Sequence, residues 1–506
     1  MKARLDTLVG RITMYNLVVV VLAALAVIAV IASAFGQLFY TPAQMGLSLV
    51  VLLAVTVISS WGLARLFRTR AHLPSAAITA LLLFFVFMPS DDPATLGSLA
   101  LAAFLASASK FVLAWRGKHI FNPVAIAAVV MTVSTLYGAA WWVATPVLLP
   151  FVAVGAFLVL YRTRKLSLGL TFIVLATVLN LGRMMLLGTS LGDALWLAVG
   201  SFPVIFLAGF MLSEPLTLPP RRWQQLVVAA IVAVLFSIPF QVGPVYSSPE
   251  LALVLGNVVA FAFGQRRGVR LRYLGSRALT PTTAAFDFAP LGPVRFTPGQ
   301  YLELALPHAK PDSRGTRRVF SLASAPGEGV SGSLVSVGLK LPQPSSSFKK
   351  ALVGLEPGTV VRSPWVGGDF VLPADASEPL ILAAGGIGIT PFVSQLADRT
   401  QGGSRPADVV LVYSVSAPDE LAYLPELEAS GIRVLVTAPT QPERMPFGWE
   451  YLGAGRVTAS VLREAIGDIA GRRGYVSGPP GYVDHVSAEL RKAGAKRVHT
   501  DQFAGY

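Results

Sequence analysis

The stretch PLILAAGGIGITPFVSQL, residues 379–396, decides the fold of the C-terminal half of this 506-residue chain. An apolar run precedes a glycine-rich turn and a helix-forming segment, which predicts a strand, a loop and a helix in that order. The same order returns in RGYVSGPPGYVDHVSAELRKAG, residues 473–494. Two more apolar runs lie between them, DVVLVYSVS (408–416) and GIRVLVTAP (431–439). This alternation predicts an α/β domain at residues 375–506, with a parallel sheet covered by helices.

Residues 268–374, just before this domain, follow a different pattern. Short runs of alternating apolar and polar residues are broken by Gly and Pro, as in LELALP (302–307), LVSVGLKLP (334–342) and TVVRSP (359–364). A period of two is typical of strands with one buried face. The segment is therefore predicted to be a small antiparallel β-barrel.

The N-terminal half, residues 1–266, consists mainly of apolar stretches. About ten of them are long enough to cross a hydrocarbon layer of about 30 Å, which predicts a polytopic α-helical membrane domain in a lipid bilayer. They lie at about residues 15–35, 46–66, 75–89, 94–115, 121–138, 141–161, 167–187, 193–213, 222–240 and 249–265. The first stretch lacks a small-residue cleavage site and is followed by another, so we interpret it as a retained helix rather than a signal peptide.

Charge sets the expected orientation of these helices. Basic residues cluster in alternate loops, at residues 65–70, 116–119, 162–165, 221–222 and 266–272. Because basic loops stay in the cytoplasm, we expect a multi-pass protein of the cell membrane, with both termini and the soluble half in the cytoplasm. This placement accounts for the net charge of +14 without a nucleic-acid partner. The absence of cysteine excludes disulfides and cysteine-ligated iron–sulfur clusters, and no metal site is predicted.

Two segments of the predicted barrel suit a phosphate-bearing ligand. In RVFS, residues 318–321, strand alternation puts Arg318 and Phe320 on one face and Ser321 on the other. In SSSFKKAL, residues 345–352, hydroxyl side chains enter a predicted helix, whose free N–H groups favour a phosphate. An ordinary surface strand and an ordinary helix cap are the alternative interpretations.

Two turns of the α/β domain suit a dinucleotide. Gly385, Gly386 and Gly388 allow a ligand to approach the backbone closely, and Thr390 can donate a hydrogen bond from the helix start. SGPP, residues 477–480, ends a second strand in the same way. Turns at the carboxyl ends of parallel strands are where dinucleotides bind.

Together these motifs are similar to those of the ferredoxin–NADP reductase family, and the similarity covers residues 268–506. It implies an FAD-binding barrel, a domain that binds NADH or NADPH, and an FAD-dependent NAD(P)H oxidoreductase. YSVSAPDEL, residues 413–421, shows neither a basic clamp for a 2′-phosphate nor a clear ribose carboxylate. The sequence therefore leaves both nicotinamide cofactors open.

The resemblance also implies roles for individual residues. Flavin is expected at Arg318, Val319, Phe320, Ser321, Ser346, Ser347 and Phe348, and the nicotinamide dinucleotide at Gly385, Gly386, Gly388, Thr390, Pro391, Gly478 and Pro479. Ser321, Ser477 and Tyr506 are implied to lie at the reacting rings, where Tyr506 resembles the terminal aromatic residue that stacks on the flavin. Packing of the tail is the alternative for Tyr506. Ser477 stands where the family usually has cysteine, which bears on the rate of hydride transfer.

The membrane half has its own signature. KFVLAWRGKHIFNPVAIAAVV (110–130) and GFMLSEPLTLPP (209–220) resemble the B/D subunit family of sodium-translocating NADH:quinone reductase and the Rnf complex. That family carries flavin, in one case attached through a threonine of an SGAT-type motif, which this chain lacks. The resemblance therefore leaves room for a second, non-covalent flavin, FMN or riboflavin.

Polar residues inside apolar stretches are costly and usually functional. We predict that Asn122, Glu214 and Thr217 line a flavin or ion site. Lys110 and Glu214 lie near the ends of their stretches, so extension of their charged groups to the membrane surface is the alternative. The membrane half offers only His72 and His119 as haem ligands, both in loops, and a haem-bearing reductase is not expected.

The predicted function is a membrane-bound flavoprotein that passes electrons from NAD(P)H through FAD to a membrane flavin, a quinone or an acceptor across the bilayer. The alternative is a transporter or ion-translocating protein with a redox-sensing reductase domain. The physiological acceptor, any ion translocation and the oligomeric state stay open at this stage.

Overall fold

The computed structural model describes residues 13–69, 71–115, 118–265, 268–312, 315–327, 334–342, 344–400 and 408–503. The chain divides into two compact units, Met1–Arg266 and Arg267–Tyr506.

The N-terminal unit is helical. Its helices are α1 Met14–Ala34, α2 Pro42–Leu66, α3 Leu73–Val86, α4 Pro93–Val112, α5 Pro123–Val133, α6 Leu149–Arg162, α7 Leu166–Leu186, α8 Leu191–Gly200, α9 Val204–Phe206, α10 Arg222–Ser237 and α11 Pro249–Ala260. The π-helical segments Leu207–Leu212 and Phe261–Gln265 extend α9 and α11. Two short ribbons pair β1 Ala114–Trp115 with β2 Lys118–His119, and β3 Gln241–Val242 with β4 Val245–Tyr246.

Helices occur in each of the predicted apolar stretches, but they differ in length. Among the described residues, α1, α2, α4 and α7 are long and apolar enough to cross a membrane. The helix α8 and the segment Val204–Leu212 qualify together, although they are bent by 41°. The helices α3, α5, α6, α10 and α11 are apolar but shorter. The number of crossings, about ten, therefore stays a prediction.

The predicted stretch 141–161 was wrong at its start. Helix α6 begins at Leu149, because Trp141 has a left-handed backbone (φ 51°) and prolines follow at 146 and 150. Trp141, Trp142 and Val143 are buried all the same. The segment is therefore apolar because these residues pack in the interior, as an irregular stretch before the helix.

Small residues bring the helices close together. A Cβ atom on Gly209 would lie 2.4 Å from the Cβ of Ala156 on α6, so that only glycine permits this contact. Caps define the helix starts: the Thr41 and Gln44 side chains form a capping box, and Asp92 accepts the Thr95 N–H at 2.8 Å.

The C-terminal unit begins with antiparallel strands. They are β5 Val269–Thr280, β6 Thr283–Pro290, β7 Tyr301–Ala305, β8 Arg317–Ser321, β9 Val335–Lys340, β10 Val360–Ser363 and β11 Val366–Gly367, with helix α12 Ser347–Val353 after β9. The pairing order is β11-β7-β10-β5-β6-β9, and β8 pairs with β7. Leu322, just after β8, bridges to Val337 of β9, which brings the two ends of the sheet together.

A parallel sheet follows. Its strands are β12 Leu380–Gly385, β13 Val409–Ser414, β14 Arg433–Thr437, β15 Glu450–Tyr451, β16 Arg473–Gly478 and β17 Lys496–Gln502. The helices are α13 Thr390–Thr400, α14 Leu424–Ala429, α15 Ala459–Ala465 and α16 Pro480–Ala493, with 3-10 turns at Gly386–Ile389 and Ile469–Gly471. The strand order is β15-β14-β13-β12-β16-β17, so the direction of winding reverses between β12 and β16.

Polar contacts fix the antiparallel strands against the parallel sheet. The Glu420 carboxylate, in the loop after β13, accepts hydrogen bonds from the Thr282 hydroxyl at 2.6 Å and the Thr280 hydroxyl at 3.3 Å. On another side, the Gln395 amide of α13 donates to the Phe370 carbonyl at 2.7 Å. These bonds join segments that are far apart in the sequence and hold the ligand-binding turns in one arrangement.

Candidate functional site

The two predicted dinucleotide turns are in contact at the reversal point of the parallel sheet. Strands β12 and β16 are neighbours, and their turns leave from their carboxyl ends. A Cβ atom on Gly388 would lie 2.4 Å from the Ser477 carbonyl oxygen and 2.6 Å from the Gly478 Cα. Glycine is required here, because no side chain fits between the two backbones. The reversal point is the usual ligand crevice of open parallel sheets.

The glycine turn after β12 has open space at Gly386, on the side away from the SGPP turn. Gly386 has a left-handed backbone (φ 53°), and no described atom lies within 4 Å of the place where its Cβ would be. Thr390 and Pro391 form the buried first turn of α13. The Thr390 hydroxyl donates to the Ile387 carbonyl at 3.0 Å, so its oxygen is left as an acceptor.

Three hydroxyl-bearing side chains lie beside this glycine turn, and the sequence did not single them out as site residues. The Tyr482 ring packs against Gly385, whose Cβ would lie 2.7 Å from the ring, and burial raises the pKa of its phenol. The Ser414 hydroxyl at the end of β13 donates to the Tyr482 oxygen at 3.2 Å, and Thr437 at the end of β14 donates to Ser414 at 2.8 Å. Hydroxyl groups from three neighbouring elements thus line the carboxyl edge of the sheet.

Ser477 is fully buried, and its hydroxyl has no hydrogen-bond partner among the described residues. An unpaired buried hydroxyl is costly and calls for an explanation. Its position at the reversal point suits a ligand that supplies the missing partner. Gly478 and Pro479 follow at the turn into α16, where Gly478 (φ 151°) packs on Gly385.

The predicted phosphate residues gather around α12. Arg318 is nearly buried, pairs with the Asp312 carboxylate at 2.9 Å, and has its guanidinium 5.3 Å from the centre of the Phe348 ring. The Phe320 and Phe348 rings lie 5.8 Å apart. Val319 and Ser321 face the other side of β8, where Ser321 is buried. Arg318, Phe320 and Phe348 therefore form one cluster, and their role toward a flavin stays a prediction.

The two serines have different contacts. Ser346 caps α12 by accepting the Lys349 N–H at 3.3 Å, which is the ordinary cap that the sequence left as an alternative. The Ser347 hydroxyl oxygen accepts the Asp312 N–H at 2.9 Å and lies 3.0 Å from the His308 Nε2. Because His308 Nδ1 lies 2.8 Å from the Leu306 carbonyl, Nδ1 carries the proton and Nε2 accepts from Ser347. No sequence pattern singled out His308 or Asp312.

The phosphate cluster and the glycine turns are held close together. The Ser394 hydroxyl of α13 donates to the Ser324 carbonyl, three residues after Ser321, at 2.6 Å. Gly338 on β9 faces Thr390, whose methyl carbon lies 2.8 Å from the place of a Cβ. The loop after β8 and the strand β9 thus contact the helix that follows the glycine turn.

The C-terminal strand leads to the same turns. Strand β17 runs parallel to β16, and the Phe503 N–H donates to the Gly478 carbonyl at 2.9 Å. Tyr506, predicted to cover the flavin, lies outside the described residues. Phe503 is an aromatic residue of this tail that the sequence did not single out, although it stands only three positions earlier.

A second polar cluster lies in the N-terminal unit. The Glu214 carboxylate lies 2.7 Å from the His119 Nε2 and accepts the Asn122 amide at 2.8 Å. The Asn122 oxygen caps α5 by accepting the N–H groups of Val124 and Ala125 at 3.1 Å. The Asn257 side chain accepts the Asn122 N–H at 2.8 Å. Glu214 is therefore a carboxylate bonded to the residue that caps α5.

Glu214 contacts both of the other residues predicted for this site, but in different ways. Asn122 and Glu214 are bonded, whereas the buried Thr217 hydroxyl donates to the Glu214 backbone carbonyl at 3.2 Å. His119 and Asn257 complete the cluster. His119 belongs to the same HIFNP segment as Asn122, and Asn257 is a polar residue inside the apolar stretch 249–265.

Comparison with known proteins identifies relatives of the C-terminal unit. Residues 382–488 match the family described as oxidoreductase NAD-binding domain. The chain is 30% identical over 242 residues to an NADPH oxidoreductase of Mycobacterium tuberculosis, which covers 47% of this chain and 60% of the relative. It is 29% identical over 250 residues to the toluate 1,2-dioxygenase electron transfer component of Pseudomonas putida, covering 47% and 69%. The chain thus spans about two thirds of the length of these relatives.

Solved structures also align with 47% of the chain. A cytochrome P450 reductase from Amycolatopsis aligns at 24% identity with a TM-score of 0.39, over 70% of its own length. Phthalate dioxygenase reductase aligns at 20% identity with a TM-score of 0.37, over 68% of its length.

The residues of the C-terminal unit fit a flavin and a nicotinamide dinucleotide. Arg318 offers a nearly buried cation beside two aromatic rings, which suits a phosphate and a planar ring. The Gly388–Gly478 contact and the unpaired Ser477 hydroxyl suit a dinucleotide at the reversal point. The C-terminal unit is thus similar in sequence to an NADPH oxidoreductase and to an electron transfer component, and its residues suit the same two kinds of ligand.

Proposed function

We propose that this chain is a membrane-bound NAD(P)H dehydrogenase that uses FAD to pass electrons into its N-terminal unit. The observation that supports it most is the Gly388–Gly478 contact at the reversal point, close to the strand of Arg318. One unit thus offers a site for each of two cofactors. The relatives named as an NADPH oxidoreductase and an electron transfer component support the same chemistry.

The side chains have distinct tasks in this proposal. Arg318 neutralises the flavin phosphates, and Phe320 and Phe348 bound the flavin with apolar surface. Gly385, Gly386 and Gly388 bring backbone N–H groups to the dinucleotide phosphates. Ser321 and Ser477 offer hydroxyls where the two rings meet, and Tyr506 covers the flavin face from the tail. When bound, FAD supplies the conversion of a two-electron hydride transfer into single-electron steps.

The N-terminal unit is proposed to lie in the cell membrane, with the basic loops, both termini and the reductase unit in the cytoplasm. Four long apolar helices and the distribution of Arg and Lys support this orientation. The acceptor is a quinone, a second non-covalent flavin (FMN or riboflavin), or a partner at the outer face. The polar cluster around Asn122 and Glu214 supports a ligand site between the helices.

Absorption and turnover test the reductase assignment. The purified protein should be yellow and should oxidise NADH or NADPH with ferricyanide as acceptor. A colourless protein that stays inactive after addition of FAD would contradict it. Acid extraction of the same sample should release a second flavin beside FAD without proteolysis, if the membrane unit holds one.

The half-buried His119–Glu214 pair also supports a second candidate, an ion-translocating protein whose reductase unit senses redox state. The two candidates differ in turnover. A dehydrogenase consumes NAD(P)H in proportion to the acceptor supplied, whereas a sensor binds the dinucleotide without sustained oxidation.

A further inference from the structure

A line of hydroxyl groups crosses the carboxyl edge of the parallel sheet beside the glycine turn. The Thr437 hydroxyl at the end of β14 donates to the Ser414 oxygen at the end of β13, over 2.8 Å. The Ser414 hydroxyl donates in turn to the Tyr482 oxygen on α16, over 3.2 Å. Thr437 is nearly buried, whereas Ser414 and Tyr482 are partly open to solvent. A ligand at the glycine turn can therefore reach two of the three groups.

This line lies where a dinucleotide places its adenosine ribose. In parallel sheets that bind dinucleotides, the pyrophosphate lies at the glycine turn, and a side chain further along the chain bonds the ribose 2′-hydroxyl. Here Gly385, at the start of the glycine turn, is opposite Ser414 in the register of β12 and β13. The Tyr482 ring packs on the same glycine. Ser414 therefore stands at the ribose position, one strand away from the glycine turn.

The direction of the hydrogen bonds determines what the line still offers to a ligand. Each hydroxyl group has one proton. Thr437 and Ser414 donate theirs within the line, so that, of the three groups, Tyr482 keeps its proton for an outward bond. Burial raises the pKa of the Tyr482 phenol, so this proton stays in place at neutral pH. The line thus offers one donor, together with oxygen atoms that can accept.

The charge that acts near the end of β13 is negative. The pKa of the buried Tyr413 phenol, next to Ser414, is raised mainly by burial and further by the Glu420 carboxylate in the loop after β13. Among the described residues, no Lys or Arg side chain is bonded to the three hydroxyl groups. A phosphate only accepts hydrogen bonds and is best held by cations or several donors, whereas a ribose diol both donates and accepts.

We infer that Ser414, Thr437 and Tyr482 bind the adenosine ribose of NADH through its free 2′-hydroxyl, and that they select NADH against NADPH. The ribose hydroxyl accepts the Tyr482 proton and donates its own to the Ser414 oxygen. A 2′-phosphate at the same place meets one donor and the negative charge of Glu420. This selection rests on the proposed function, in which one of the two dinucleotides supplies the electrons.

Two measurements on the full-length protein test the selection. With ferricyanide as acceptor, kcat/KM should be higher for NADH than for NADPH by about a hundredfold or more, because a 2′-phosphate would lose its water without gaining partners. Calorimetry with ADP-ribose and with 2′-phospho-ADP-ribose tests the site without turnover, and ADP-ribose should bind more tightly. Equal or tighter binding of the 2′-phosphate, or equal or faster use of NADPH, would overturn the selection.

A cation placed at the end of β13 should reverse the preference. Ser414→Arg should raise kcat/KM for NADPH by about tenfold, because a bond to a charged group is gained. Ser377→Arg is the matched control, since Ser377 lies exposed in the turn before β12, at the opposite edge of the sheet. It should keep the parent ratio. Bound FAD is counted in each variant to show that the fold is retained.

Tyr482→Phe removes the outward donor and keeps the ring. It should weaken the binding of ADP-ribose by about threefold to tenfold, the effect of one lost hydrogen bond. Unchanged preference in Ser414→Arg together with unchanged binding in Tyr482→Phe would refute the role of these side chains.

The selection and the proposed function fail in different ways. A parent protein that binds ADP-ribose in preference to its 2′-phosphate but oxidises neither dinucleotide would refute the reductase and support the ribose site. A protein that oxidises NADPH as well as NADH would refute only the selection. A protein that binds neither nucleotide would overturn both.

Discussion

Arg318 shows how one side chain is prepared for an anion. Its guanidinium donates to the Gly315 carbonyl at 3.0 Å and the Arg317 carbonyl at 2.7 Å, and it pairs with Asp312 at 2.9 Å. These bonds hold an extended, nearly buried cation in one position. The adjacent Arg317 lies on the opposite face of β8, with Glu303 3.9 Å away.

Replacement of Arg318 by Ala should strip FAD from the protein. A bond between charged groups contributes about 1.5–3 kcal/mol, so we expect the affinity for FAD to fall by about one to two orders of magnitude. Bound flavin is measured by absorbance after gel filtration, and Arg317→Ala serves as the control of equal charge change. Full FAD occupancy in Arg318→Ala would place the phosphate site elsewhere.

Replacement of Ser477 should affect stability and the rate of flavin reduction differently. Because its buried hydroxyl has no partner among the described residues, Ser477→Ala should leave the thermal midpoint of the flavin-depleted protein unchanged or raise it. The same change should lower the rate of flavin reduction by NAD(P)H severalfold if the hydroxyl meets the nicotinamide. Stopped-flow reduction and a thermal melt measure the two effects. A clear loss of stability would mean that the hydroxyl already has a structural partner.

At the scale of elements, two strand ends and two turns build the proposed dinucleotide site. Gly388 touches backbone atoms of the SGPP turn, which cannot move aside as a flexible side chain would. Gly388→Ala should therefore cost about 1–3 kcal/mol in stability and push the two turns apart, with loss of NAD(P)H-dependent activity. Gly467→Ala is the matched control, because nothing lies within 4 Å of the place of its Cβ. Denaturant unfolding and ferricyanide turnover check both variants, and equal behaviour of the two would show that the turns are not in contact.

The strands and turns of this unit were predictable because their signals are local. PLILAAGGIGITP contains the apolar run, the glycines and the helix start within 13 neighbouring residues, and the structure has β12, a turn and α13 there. Contacts between distant residues were not predictable in this way. His119 and Glu214 are 95 positions apart, and Asn122 and Asn257 are 135 apart. Their pairing depends on how α5, α11 and the segment after the π-helix pack, which no local pattern specifies.

The helix boundaries show the same contrast between what local sequence predicts and what depends on packing. Continuous apolar stretches indicated where helices occur, whereas the structure shows that Thr41 and Asp92 cap the starts of α2 and α4. The helix was predicted to begin at Trp141, which is apolar because it is buried, although its backbone (φ 51°) is not helical. Burial explains its apolarity, and the Glu250 carboxylate that accepts its indole N–H at 2.8 Å helps to fix its position.

At the scale of the whole molecule, the chain joins a unit that handles a soluble electron donor to a unit of apolar helices. The C-terminal unit has its own cores on both faces of the parallel sheet and inside the antiparallel strands. A unit with separate cores is expected to fold by itself. The two activities can therefore be separated by cutting the chain between them.

Residues 268–506, expressed alone, should bind FAD and keep NAD(P)H–ferricyanide activity, because both proposed cofactor sites lie within that segment. The fragment should fail to deliver electrons to quinone in a bilayer, because the proposed acceptor site around Asn122 and Glu214 belongs to the other unit. Both rates are measured with the fragment and with the full chain in vesicles of the same lipid, at equal FAD content. Mixing the fragment with empty vesicles controls for direct reduction of quinone at the lipid surface. If the fragment reduces the bilayer quinone as fast as the full chain, the helices serve only as an anchor.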